Sequence, residues 1–227
     1  GEHAVVYGRP AFLAAINLRM RVSIEASKTQ EVISTEPSEY VRYALEKVRE
    51  HFCLSALPSI KITIDSDIPA GYHLGSSAAT AVGTVAAATY FLKHVWNPSL
   101  FNQIAYEVEK KQHGNPSGGD NTVVTMGGLL WFRKELEFLK SMWQLDIKIP
   151  DFLNHFFLIN TGKPKETTGE MVSFVRKNVE KNPSSMKQLF SQNEEQVKRI
   201  AIALKEKNEQ ELVSAINLGE QTLEKMG

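Results

Sequence analysis

The chain has 227 residues, 42% hydrophobic and 23% charged, enough for one large domain or two small ones with real cores. Its 26 Lys and Arg balance 26 Asp and Glu, so the net charge is zero and nothing in it points to nucleic acid or an anionic membrane as partner. A single cysteine, Cys53, excludes an internal disulfide and, beside apolar residues, reads as a core filler.

No apolar run reaches a membrane span, since the longest, Ala78 to Val95, is broken by Gly83, Thr84, Thr89, Lys93 and His94. No secretory signal is present, which makes the cytoplasm the expected compartment. The chain opens on Gly1-Glu2-His3 without Met and stops at Met226-Gly227 just after a helical pattern, so it reads as a fragment of a longer protein.

In chain order, residues 1–10 are turn-like around a short apolar run. Leu18-x-Met20-x-Val22-x-Ile24 alternates strictly and predicts a strand with one wet face. A further short strand is expected over 31–34. Apolar residues at 40, 41, 44, 45, 48 and 52 have helical spacing, and Pro37-Ser38 suits the start of that helix. Ile60 to Ile64 is alternating and β-branched, a second clear strand. The Ala-rich run from Ala78 predicts a buried helix, and Asn97-Pro98-Ser99 breaks it and starts the next.

His113 to Asn121 is rich in Gly, Asn and Pro and predicts a loop. Val123 to Phe132 suggests one or two short strands, and 135–142 is ambiguous. Leu145-x-Ile147-x-Ile149 and Phe156 to Asn160 each predict a strand. Helices are expected over 169–178, 184–207 and 210–226. The shift near Pro150 from mixed α and β to mostly helix places a domain boundary there, giving 1–148 and 149–227.

The stretch that organises the chain lies between the Ile60 strand and the Ala-rich helix: Pro69-Ala70-Gly71-Tyr72-His73-Leu74-Gly75-Ser76-Ser77. Strand, Gly/Ser-rich loop and helix start is the layout of a phosphate cradle, where backbone N–H groups and the positive helix end attract an anion. The serines could cap the helix or offer a hydroxyl to Mg²⁺. Neither the Gly-Lys-Ser/Thr of a Walker loop nor Gly-x-Gly-x-x-Gly is present, so a plainly capped core helix is an equal reading of this stretch alone. Glu109 by itself reads as a wet-face helical residue, and Asp120 as a loop residue bonded to its own backbone.

Four segments in this order, Gly1 to Gly8, Pro69 to Ala79, Glu109 with the His113–Asn121 loop, and Asn160 to Thr167, resemble the mevalonate kinase family of the GHMP kinase superfamily. The resemblance covers nearly the whole chain. It implies an α+β fold of two domains, one like ribosomal protein S5 and an incomplete ferredoxin-like one. It implies ATP-dependent phosphorylation of the 5-hydroxyl of mevalonate, in isoprenoid precursor biosynthesis, with Mg²⁺ and a possible homodimer. By the same resemblance Ser77 and Glu109 are the Mg²⁺ ligands. Gly71, Leu74, Gly75, Ser76 and Ser77 wrap the triphosphate, with Ser66 near the nucleotide. Asp120 is the catalytic carboxylate. Glu2, His3, Lys165 and Thr167 line the substrate site.

Departures from the family pattern are His73, where a small residue is usual, and Gly162 and Lys165, where relatives often carry Lys and Arg. The family's N-terminal Lys would lie just before Gly1, and its C-terminal Gly-rich motif beyond Gly227. The alternatives are another GHMP small-molecule kinase, either a mevalonate 3-kinase or a phosphomevalonate kinase, and a non-catalytic nucleotide-binding remnant.

Overall fold

A computed structural model describes residues 1–34, 38–113, 116–155, 157–159, 162 and 168–226. Its contacts divide the chain into two compact units, residues 15–127 and residues 1–14 with 128–227. This division by contacts follows other lines than the 148/149 boundary drawn from sequence, which stays a proposal about family domains.

In the first of these units, β2 (Met20–Ala26), β3 (Glu31–Ile33) and β4 (Ile60–Ser66) form a sheet of order β2-β4-β3; β1 (Pro10–Ala14) belongs to the other unit. β2 runs antiparallel to β4, from Met20 opposite Ser66 to Ala26 opposite Ile60, and β3 runs parallel to it. Alternation puts Ile60, Ile62 and Ile64 on one buried face. Against them pack α1 (Ser38–His51), α2 (Ser76–Lys93) and α3 (Pro98–His113), with Val41, Ala44, Val48, Val85, Ala88 and Ala105 fully enclosed. The small residues of α2 let α1, α3 and the strand β2 approach one helix together. At Gly83 an added Cβ would lie 2.7 Å from Val22 Cγ2, so helix and sheet are in direct contact there.

A fourth helix, α4 (Gly119–Met126), packs on both α2 and α3. It occupies residues that the sequence reading gave to a loop and a strand, so the loop prediction over 113–121 is corrected: α3 reaches His113 and α4 begins at Gly119, with Gly114 and Asn115 outside the described residues. The reason is local and tertiary together. Ser117 Oγ accepts the Gly119 N–H at 3.0 Å, and Gly118 turns the chain in at φ 82°. The Asn121 amide then donates to the Asn102 backbone and side chain on α3.

The second unit carries the antiparallel sheet β1-β5-β6, with β5 (Leu129–Lys134) hairpin-paired to β6 (Lys140–Gln144). The helices α5 (Thr168–Lys181), α6 (Pro183–Glu206) and α7 (Glu209–Met226) lie where 3.6-residue spacing predicts them. A 3-10 turn, Ala4–Tyr7, precedes β1, and Tyr7 stacks on Phe190 of α6.

Three sequence expectations are corrected. Residues 145–149 form no strand: the Leu145 N–H reaches the Leu129 carbonyl, but the ladder stops there, before Pro150. Residues 157–159, the described part of the expected strand 156–160, lie in no sheet, and Phe157 and Ile159 are 88% and 81% exposed. An apolar run takes up strand geometry only against a partner strand. Cys53 is exposed rather than a core filler, because it takes the left-handed turn just past α1, at φ 50°.

Candidate active site

β4 ends at Ser66, whose hydroxyl both accepts the Ile68 N–H and donates to the Ile68 carbonyl at 3.1 Å, a tight turn that starts the loop. Gly71 and Gly75 then adopt φ 80° and 72°. His73 is also left-handed, at φ 56°, a conformation that strains a residue with a Cβ. Gly75 is the N-cap of α2, and no side chain caps that end. The two serines therefore do not cap the helix as the sequence allowed. A Cβ built on Gly75 would meet nothing within 4 Å, so open space lies before the N-terminal turn of α2. Such a helix end offers N–H groups and a positive dipole to an anion.

Ser77 lies in the first turn of α2 and Tyr40 in the first turn of α1. Burial raises the Tyr40 phenol above its usual range, the Ser77 hydroxyl opposes that rise, and the carboxyl of Glu109 adds to it. Glu109 sits on α3 and is 5% exposed, not on a wet face. Burial first, and then the charge of Asp120, push its carboxyl up to about 8. Asp120 is exposed, at the second position of α4. Its place on a helix corrects the expectation that a free loop would carry it.

Polar groups from four helices thus act on one another: Ser77 of α2 and Glu109 of α3 both influence the phenol of Tyr40 on α1. Asp120 from α4 presses on Glu109. Sequence reasoning missed Tyr40, because its position in the apolar stripe of α1 marked it only as core. Among the described residues no group of three or more His, Cys, Asp or Glu gathers as a metal cage.

Glu2 and His3 belong to the other unit. His3, at φ 57°, leads into the turn Ala4–Tyr7, and Glu2 is exposed beside it. Lys165 and Thr167 lie outside the described residues.

Residues 39–128 match the family model described as GHMP kinases N terminal domain. The chain is similar to two archaeal proteins named mevalonate kinase. It is 34% identical to that of Archaeoglobus fulgidus over 195 residues, covering 84% of this chain and 64% of the relative. It is 33% identical to that of Thermococcus sibiricus over 212 residues, covering 81% and 60%. The chain thus spans less than two thirds of the length of these curated relatives. The α+β fold is that of L. major mevalonate kinase, solved in complex with R-mevalonate, with a TM-score of 0.80 at 20% identity over 100% of this chain and 72% of that one. The Methanococcus jannaschii mevalonate kinase gives 0.77 at 23% identity, over 100% and 75%. Among the described residues no helix is long and apolar enough to cross a membrane.

Proposed function

We propose that the protein carrying this chain transfers the γ-phosphoryl group of ATP to the 5-hydroxyl of mevalonate, in the cytoplasm, as a step of isoprenoid precursor synthesis. The observation that carries this reading is that one unit holds an uncapped helix end with a serine in its first turn, a buried carboxylate and an exposed carboxylate whose charge acts on it. The likeness to archaeal mevalonate kinases supports the choice of substrate.

Gly71, Leu74, Gly75, Ser76 and Ser77 bind the phosphates through the N-terminal turn of α2, and Ser66 lies toward the nucleotide. Ser77 and Glu109 hold Mg²⁺. The donor set fits such a cation: one hydroxyl and one carboxylate, both hard oxygens, with room left for phosphate oxygens and water. The proton that Glu109 keeps by burial is the one a cation would displace. When bound, the ion neutralises charge on the phosphates. Asp120 orients the attacking hydroxyl and takes its proton as the oxygen–phosphorus bond forms and the bond to the β-phosphate oxygen breaks. Glu2, His3, Lys165 and Thr167 hold the substrate.

The test is ADP release by the intact protein, with mevalonate, phosphomevalonate or no acceptor, followed by phosphorus NMR of the product. Mevalonate-dependent ADP release with 5-phosphomevalonate as product is expected. Release only with phosphomevalonate, or a 3-phosphorylated product, would move the assignment to another GHMP kinase. No binding of ATP at all would leave a scaffold.

A further inference from the structure

β2 (Met20–Ala26) pairs with β4 along one edge, and among the described residues no strand lies on its other edge. It is seven residues long, runs against β4 without a bulge, and holds no Pro or Gly. Proteins usually blunt such an edge, because its unpaired N–H and C=O groups are a template for another strand. The ends of the ladder show which groups are unpaired. The Arg19 carbonyl accepts the Asp67 N–H at 2.8 Å, and the Ser27 N–H donates to the Ser59 carbonyl at 3.0 Å. Odd-numbered residues therefore turn their backbone groups to β4, and Met20, Val22, Ile24 and Ala26 turn theirs to the open edge.

The side chains of this strand are arranged symmetrically. On the face away from the helices, Arg21 and Glu25 stand exposed on either side of Ser23. Arg21 pairs with Asp65 at 3.4 Å and Glu25 with Lys61 at 3.0 Å, both on β4. On the other face Val22 and Ile24 line an open apolar groove with Ala86, Tyr90 and Phe91 of α2 and with Trp96 just beyond that helix. Tyr90 is 54% and Trp96 69% exposed, and the Trp96 ring is held edge-on to Phe101 at 5.2 Å. Exposed but anchored aromatic rings are what the cores of protein interfaces are enriched in.

We propose that the open edge of β2 is a dimer interface: a second copy of this chain adds its own β2, antiparallel, about a two-fold axis through Ser23. In that register the strand is its own complement, and each of its seven residues gains a partner. Val22 meets the partner's Ile24 and Met20 the partner's Ala26, and these are the residues whose N–H and C=O groups point outward. Arg21 meets the partner's Glu25 at a position between the backbone bonds, where facing side chains come closest. Charge then alternates across four strands: Asp65, Arg21, the partner's Glu25 and the partner's Lys61. A lone exposed ion pair contributes little, and such a row contributes more. An axis through Val22 or Ile24 would set Ser23 opposite Arg21 or Glu25 and leave strand ends unpaired, so the charges select Ser23. The same axis lays the two apolar grooves side by side, where they cover one another, and the contact closes at two copies. A strand whose charges match themselves favours a second copy over a different protein.

The experiment is sedimentation velocity of the intact protein from about 0.1 to 100 μM, a range that spans micromolar association. Wild type, Arg21→Glu, Glu25→Arg and an equal mixture of the two variants are compared, with thermal midpoints measured alongside to check that each variant folds. Wild type is expected to be a dimer. Either variant alone sets like charges opposite each other twice across the axis, so its dimer Kd should rise by roughly 10- to 100-fold. In the mixture every Glu meets an Arg again, and hybrid dimers with a Kd near that of wild type should form. A wild type that stays monomeric over the whole range overturns the proposal. So does a dimer indifferent to both substitutions, which would place the interface elsewhere, or a mixture of folded variants that forms no hybrid.

Discussion

Glu109 provides the sharpest test, because its environment sets a stability cost with a known sign. The residue is 5% exposed, and its carboxyl is pushed from 4.5 to about 8, by burial first and by Asp120 second. The folded chain therefore keeps a proton on Glu109 at pH values where the unfolded chain has lost it. Over that window the folded state binds more protons, so its stability falls as pH rises from about 4.5 and levels off above about 8. At roughly 1.4 kcal/mol per pH unit, the full span is on the order of 5 kcal/mol, an upper value because relaxation and water entry soften it. Glu109→Gln keeps the shape and the polarity without the ionisation. Urea unfolding of the metal-free protein at pH 5.5, 7 and 8.5 should show wild type losing stability across the series and the variant losing much less. The variant should be the more stable of the two at pH 8.5. Parallel pH profiles for both proteins would refute the reasoning and place Glu109 in a wetter site than the fold gives it.

Three further outcomes are expected. Asp120→Asn, which keeps shape and removes charge, should lower kcat by roughly 10²–10⁴-fold in steady-state assays while nucleotide titration changes little. Gly75→Ala forces a Cβ into a residue at φ 72°, so the chain should lose about 1–2 kcal/mol in urea unfolding, and calorimetric titration should show weaker ATP binding where the Cβ enters the space before α2. Gly83→Val, whose Cβ would sit 2.7 Å from Val22 Cγ2, should cost roughly 1–3 kcal/mol by overpacking, measured by the same unfolding assay.

Much of this architecture is legible in the sequence because its periodicities are clean. Ile60, Ile62 and Ile64 alternate and are buried together, and the apolar stripe of α1 reads directly as helix. The loop before α2 was recognisable from its glycines, two of which do take left-handed backbone. α4 was hidden because Gly, Asn and Pro dominate its approach, and what closes it, the Asn102–Asn121 amide contact, joins residues far apart in sequence. The burial of Glu109 was equally hidden. One helical face holds both it and the enclosed Ala105 and Val108, and sequence alone cannot tell a wet Glu from a covered one when the covering helix is unseen. Tyr40 shows the reverse: its apolar setting was legible, while the influence of Ser77 and Glu109 on its phenol depends on how the helices meet.

The two carboxylates of the site are not interchangeable, and their surroundings say which task each can perform. Glu109 is enclosed, so its charged form is disfavoured until a cation takes the place of the proton. That suits a ligand that must bind an ion and hold it in one place. It is poorly suited to meeting a substrate, since reaching an enclosed oxygen would require opening the core. Asp120 is exposed on the first turn of a short helix, and α4 itself is fixed to α3 by the Asn121 amide and to its own entry by Ser117. Its carboxylate is accessible while its backbone is held. A group that must receive a proton from an incoming hydroxyl needs both properties, access and a fixed origin. The rise that Asp120 imposes on Glu109 also couples the two tasks. Whatever neutralises charge at one carboxylate lowers the repulsion felt by the other, so a cation held at Glu109 would leave Asp120 facing a more positive neighbour.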